Sequence, residues 1–228
     1  MSIQDAYDEW SGTYDSDGNL TRDLDHVVTR SRLGGLHFDS ILEIGCGTGK
    51  NTVFLLQIGG TVQAVDFSEG MIAKAKEKVQ ADNVRFSIMD ITQPWEFTNE
   101  SFDLLVCNLV LEHVENLSHV FSESARVLRQ NGNFFIAELH PFRQYDGKKA
   151  GFFRDGEKVE VDAFVHHISD FLNAAEANGL NLVKLEEYWH AEDQKDLPRI
   201  LSLWFKRADD SLTKFLSPAW RSGLKINR

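Results

Sequence analysis

The sequence predicts an α/β protein built around one mainly parallel sheet, and three observations carry that prediction. Short apolar runs alternate with segments of helical period along most of the 228 residues, as right-handed β-α-β crossovers require. The run Ile41-Leu42-Glu43-Ile44 ends in Gly45-Cys46-Gly47-Thr48-Gly49, an apolar strand that turns sharply into a helix. Phe102-Asp103-Leu104-Leu105-Val106-Cys107 is almost wholly apolar, the pattern of a strand buried on both faces.

Taken in order, each element has its own signal. Glycines at i, i+2 and i+4 remove Cβ atoms where the backbone must bend and approach a ligand, and the helix expected near Lys50 would aim its first N–H groups at that ligand. A dinucleotide fingerprint is excluded, because Lys50 stands where the third glycine of G-x-G-x-x-G belongs. A second strand, Val62-Gln63-Ala64-Val65, ends in Asp66, where folds of this type bond ribose hydroxyls. Ser68 can cap the next helix, with Glu69 in its first turn. The third strand is Val84–Ile88 and leads to Met89-Asp90-Ile91, and the fourth runs into Asn108-Leu109-Val110-Leu111-Glu112-His113-Val114. Beyond Asn116, Leu117, Val120, Phe121, Ala125 and Leu128 recur at helical spacing, and Gly132 is expected just past the helix end. A fifth strand is expected over Asn133–Glu138, a helix from Ser169-Asp170 to Gly179, and two strands around Leu182–Tyr188 and Ile200–Lys206. No repeat or low-complexity linker interrupts the series.

The E-x-G-x-G-x-G spacing at Glu43–Gly49, the segment Val65-Asp66-Phe67-Ser68-Glu69-Gly70-Met71 and the stretch Asn108–Val114 together resemble the class I S-adenosylmethionine (SAM)-dependent methyltransferases. The resemblance covers roughly residues 35–207 and is specific to about residue 140. It implies a Rossmann-like, seven-stranded, mostly parallel sheet with the last strand antiparallel, and SAM as cofactor with S-adenosylhomocysteine (SAH) as product. It also implies roles. Gly45, Cys46 and Gly47 form the turn against the cofactor. Asp66 takes the ribose, Phe67 and Met71 line the adenine side, Asp90 accepts from the adenine amino group, and Ile91 packs on the ring. Asn108 and Leu109 border the cofactor, and His113 has either an architectural or cofactor-side role or a direct part in the chemistry.

Composition narrows the function classes. With 35 acidic and 24 basic residues the net charge is −11, which argues against a nucleic-acid partner, since nonspecific binding there rests on Lys and Arg neutralising phosphates. The Asn/Asp-Pro-Pro-aromatic motif of base-amino methylation is also missing, because Leu109 and Val110 follow Asn108. No apolar run approaches the ~18 residues of a membrane span. Met1-Ser2-Ile3-Gln4-Asp5 lacks the regions of a signal peptide, so a cytoplasmic protein is expected. Cys46 and Cys107 read as small buried residues, and no ligand spacing suggests a metal.

Substrate choice is expected to lie outside the core. We divide the chain into an N-terminal helical cap (1–34), a SAM-binding core (35–140), a substrate-lid insertion (141–168) and a C-terminal extension (208–228). In the cap, Tyr7, Trp10 and Tyr14 form an aromatic series that either folds over the cofactor, with Tyr14 at its methionine end or at the substrate hydroxyl, or simply covers the core as an apolar stripe. The insertion reads as a hairpin or lid; Val159–Val165 alternates like a half-exposed strand and delivers His166-His167. His140, directly after the fifth strand, and His167 are the expected general bases, because imidazole titrates near neutrality. The expected activity is methyl transfer by in-line displacement to an O or N atom of a small-molecule acceptor, as in the quinone-biosynthesis methyltransferases this chain resembles. A protein or peptide methyltransferase and a non-catalytic SAM/SAH-binding module are the alternatives; oligomeric state is left open.

Overall fold

The computed structural model describes residues 1–194 and 196–209; most of the expected C-terminal extension, residues 210–228, lies outside them. The chain opens with α1 (Ile3–Trp10) and α2 (Leu20–Leu33), then β1 (Phe38–Ile44), α3 (Thr52–Ile58), β2 (Gly59–Asp66), α4 (Glu69–Lys78), β3 (Val84–Ile88) and β4 (Phe102–Asn108). After a 3₁₀ turn at Leu111–His113 come α5 (Leu117–Val127), β5 (Leu128–Leu139), α6 (Pro141–Tyr145), the hairpin β6 (Gly151–Arg154) and β7 (Glu157–Glu160), α7 (Ile168–Ala177), β8 (Leu180–Tyr188) and β9 (Ile200–Arg207). Seven strands form one sheet in the order β3-β2-β1-β4-β5-β9-β8, with β9 antiparallel to both neighbours and the remaining pairings parallel.

Alternation along the central strands divides the core into two layers. Leu42, Ile44, Leu105, Cys107, Phe134 and Ile136 pack toward α5 and α7. Ile41, Val62, Ala64, Leu104, Val106 and Phe135 pack toward α2 and α3. Successive residues of β4 therefore serve opposite faces, the physical reason that strand is continuously apolar. Because β1, β2, β3 and β4 run parallel, their carboxyl ends lie at one edge, where an open α/β sheet places its ligands.

Two expectations are corrected. The helix before β5 ends at Val127 and not at Gly132, because Leu128 takes an extended ψ of 140° and pairs with Phe102 of β4. The expected strand over Val159–Val165 stops at Glu160, since its partner β6 is only four residues long. The chain then runs irregularly along the 3₁₀ turn, where the Phe164 N–H donates to the Glu112 carbonyl (2.7 Å) and His166 Nε2 to the Val114 carbonyl (2.7 Å). The hairpin itself packs on the cap: the Phe152 ring stacks on Trp10 at 5.5 Å.

Candidate functional site

The glycine turn is held by its backbone. Gly45, Gly47 and Gly49 all have positive φ, 71°, 52° and 79°, which side-chain-bearing residues rarely adopt. The Gly45 N–H donates to the Val65 carbonyl (2.8 Å), and Asp66 reaches back from the end of β2 to accept from the Gly47 N–H (2.8 Å) through Oδ2. Its Oδ1 accepts from the Ser68 N–H (2.9 Å). Ser68 caps α4 by accepting from the Met71 N–H (3.1 Å) and donates its own hydroxyl proton to Asp8 of α1 (2.5 Å). Asp8 also accepts from the Gly70 N–H, and the Gln4 side chain donates to the Phe67 carbonyl, so α1 is pinned across the turn that follows β2.

Between this cap and the strand ends lies a cleft enclosing about 670 Å³ of space, its open mouth included. Of the eleven residues expected at a cofactor, Tyr14, Gly45, Gly47, Asp66, Phe67, Met71, Asp90, Ile91, Asn108 and Leu109 line it, with Tyr7, Val110 and His113. Cys46 does not: it borders a smaller recess behind the turn, with its side chain packed in the core layer beneath α2 and α3. The Asp90 carboxylate accepts from the N–H and hydroxyl of Thr92 (2.9 and 2.7 Å). Leu109 has φ 56°, a strained conformation for a branched side chain and of the kind that gathers at functional sites.

A second, open cavity of about 1,170 Å³ adjoins the first and shares Tyr7, Tyr14 and Leu109 with it. A smaller recess lies behind the glycine turn, lined by Arg22, Asp25, Glu43 and Asn108 among others. Here α2 supplies what the sequence reading missed. Asn108 Nδ2 donates to Asp25 and to the Thr29 hydroxyl, Asn51 Nδ2 donates to the other Asp25 oxygen (3.0 Å), and this arrangement leaves Asn108 Oδ1 buried without a partner. The Arg22 guanidinium lies 4.0 Å from the Tyr14 ring centroid and donates to the Tyr14 and Asp17 carbonyls, while its buried Nε–H has no partner. The signal was present, since Arg22, Asp25 and Thr29 share the buried face of an amphipathic helix with Val28 and Leu33.

The expected general bases are not brought to either cavity. His140 is fully buried and caps α6: its Nδ1 accepts from the Phe142 N–H (3.1 Å), so the proton sits on Nε2 and is donated to Glu187 (2.9 Å). No lone pair is left to take a proton. The His167 ring meets the Tyr145 hydroxyl at the start of α7 (2.5 Å) and lines neither cavity. The histidine that does line the cleft is His113. Its Nδ1 lies 2.8 Å from the Asp162 carbonyl and must donate there, which leaves Nε2 to accept from the Tyr7 hydroxyl (2.8 Å). Burial holds His113 below the usual imidazole pKa, and pushes Tyr7 well above the usual phenol value.

Burial also dominates the acids around the site. Glu43, whose Oε2 accepts from the Thr52 hydroxyl (2.5 Å), and Glu138, which accepts from the Val110 and Leu111 N–H groups, are both pushed up to about 8. Asp25 and Asp66 rise to about 6 and Glu112 to about 7. A carboxyl group whose folded pKa is raised from 4.5 stabilises the fold below that value and loses the contribution as pH rises through 8. The ligand-free protein is therefore expected to be less stable to urea at pH 8.5 than at pH 6, by on the order of 2 kcal/mol for each of these two groups. Glu43→Gln, which keeps an acceptor for Thr52, should remove about half of that dependence and leave the share of Glu138; an unchanged slope in the variant would refute the assignment.

Comparison with known proteins agrees with the fold. Residues 42–136 match the family model described as a methyltransferase domain. An uncharacterized methyltransferase of Emericella nidulans is 24% identical over 90% of this chain and 84% of its own length. The demethylmenaquinone methyltransferase of Clavibacter sepedonicus is 31% identical over 60% of this chain, which spans only 58% of that protein. The N-methyltransferase NodS of Bradyrhizobium japonicum, solved in complex with SAH, superposes with a TM-score of 0.70 at 17% identity, over 92% of this chain and all of that one.

Proposed function

We propose that this chain, which carries a class I SAM-dependent methyltransferase domain on the sheet of that class, binds SAM in the cleft and methylates a small molecule held in the adjoining cavity. The observation that carries the reading is the pair of buried, unpartnered polar atoms behind the glycine turn. Asn108 Oδ1 can accept from an ammonium group and Arg22 Nε–H can donate to a carboxylate, the two charged ends of an amino-acid moiety such as the methionine part of SAM. Asp66 offers acceptor oxygens for ribose hydroxyls. Phe67, Met71 and Ile91 offer apolar contact, and Asp90 an acceptor, for the adenine. Bound there, SAM would supply an electrophilic methyl group on its sulfonium.

The chain's own task is then to bind, orient and exclude water. Near-attack positioning can supply up to ~7–11 kcal/mol of a barrier. Tyr7, Tyr14 and Leu109 border both cavities, so acceptor and cofactor would meet against them. Residues 1–34 would act as the cap over the cofactor and 141–168 as the wall that selects the acceptor. An acceptor proton, where there is one, would go to the Tyr7–His113 pair, with His113 Nε2 as the receiving atom. O and N atoms of a small molecule are the acceptors we favour, because the open cavity between the cap and the turn before the hairpin shares Tyr7, Tyr14 and Leu109 with the cofactor cleft.

Calorimetric titration with SAM, SAH and NAD tests the cofactor assignment. SAM and SAH should bind with micromolar Kd and NAD should give no heat. Failure of SAM and SAH to bind would withdraw the reading.

A further inference from the structure

The second cavity carries a charge pattern opposite to that of the molecule. Five cationic side chains line it, Arg22, Arg143, Lys148, Lys149 and Arg199, against a single acid, Glu112, in a chain with a net charge of −11. Several of these charges are already used. The Arg22 orphan Nε–H belongs to the recess behind the glycine turn. Arg143 and Arg199 converge on one carboxylate, Asp193, which leaves one net positive charge between them. Both are also tethered, Arg143 to the Leu197 carbonyl (2.7 Å) and Arg199 to the Thr21 hydroxyl (3.3 Å).

Lys148 and Lys149 are different. They are exposed on the turn between α6 and β6, and no carboxylate bonds either ammonium among the described residues. Lys149 acts at longer range on Glu160 of β7. Glu112, the acid on the opposite side, is itself mostly screened from solvent and is met by the Gln144 amide at 3.4 Å. A cationic rim with no carboxylate bonded to it thus lines the same cavity as an aromatic wall of Trp10 and Tyr14.

We infer that the acceptor held in the second cavity is an anion: a small molecule with an apolar or aromatic body and a carboxylate or phosphate group, which Lys148 and Lys149 hold at the rim above the paired Arg143 and Arg199. The inference rests on the reading of this cavity as the acceptor site. The rim would fix the far end of the molecule and leave its nucleophilic end at Tyr7 and Leu109, where the two cavities meet.

The test is a ligand-observed NMR titration of the full chain, with and without saturating SAH, using benzoate, phenyl phosphate, benzamide and benzylamine as probes. Benzoate or phenyl phosphate is expected to bind at least about tenfold more tightly than benzamide. The double substitution Lys148→Glu/Lys149→Glu, on exposed turn positions, should abolish that preference and leave SAH affinity intact. Preference for benzoate alone would identify a carboxylate, and for phenyl phosphate alone a phosphate. Equal or tighter binding of benzamide or benzylamine, no measurable anion binding, or anion binding that survives the double substitution would each overturn the inference. Loss of SAH binding in the unaltered protein would instead strike the methyltransferase reading, while the SAH-free titrations still report on the anion.

Discussion

Asp66→Ala is expected to weaken SAH binding by about 100-fold or more. The carboxylate is 7% exposed and already makes two hydrogen bonds, from the Gly47 N–H at 2.8 Å and the Ser68 N–H at 2.9 Å. Bonds to a charged group contribute roughly 1.5–3 kcal/mol each. Alanine therefore loosens the glycine turn as well as removing the acceptor offered to a ribose. Asp66→Asn keeps one oxygen acceptor and should lose only about tenfold. The two substitutions also separate by pH. Burial raises Asp66 to about 6, so affinity that depends on its carboxylate should fall as pH drops through 6 in the unaltered protein and stay flat in Asp66→Asn. Calorimetry across pH 5–8, with urea unfolding as a control for the turn itself, reads both effects. An Asp66→Ala protein that binds SAH within about threefold of the original would refute the role given to this residue.

The residues that were legible in advance share a local cause, and those that were not depend on a distant partner. β1, β2 and β4 are recognisable because burial on both faces forces apolar runs, which end at Gly45, Asp66 and Asn108, and Asp66 is recognisable from its place at the end of such a run. Nine of the eleven expected cofactor residues line one cleft because the parallel sheet brings the carboxyl ends of β1 to β4 together, and Tyr14 joins them from the cap. Cys46 borders the recess behind the turn instead, with its side chain packed in the core.

The histidines show the opposite case. His140 follows β5 as expected, yet its role is decided by Glu187 on β8, a strand two places away in the sheet and 47 residues on in sequence. No local pattern announces that partner. Arg22 and Asp25 are likewise ordinary charged residues of a helix until α2 packs against the end of β4 and brings them to Asn108. Helical period identified which face would be buried; only the packing identified what it would be buried against.

Gly45→Ala is expected to be the most damaging single-methyl change in the core, and the reason is specific to this loop. A Cβ at Gly45 would lie 2.0 Å from Val110 Cγ2, and the residue has φ 71°. The left-handed conformation alone costs a side-chain-bearing residue ~1–2 kcal/mol, and forced overpacking adds ~1–3 kcal/mol. Val110 has little room to retreat, because its N–H is held by Glu138 (3.0 Å) and it follows Leu109, itself at φ 56°. A loss of about 2–5 kcal/mol in urea unfolding is expected, together with loss of SAH binding. Gly47→Ala is the internal control: its φ is 52° but nothing lies within 4 Å of the added methyl, so only the conformational cost of about 1–2 kcal/mol applies. Adding Val110→Ala to Gly45→Ala should recover the overpacking share and leave the backbone share, a positive coupling in a double-mutant cycle. Equal costs for the two glycine substitutions would mean that backbone conformation alone demands glycine here, and that the contact between the turn and the strained loop after β4 does not shape the cleft.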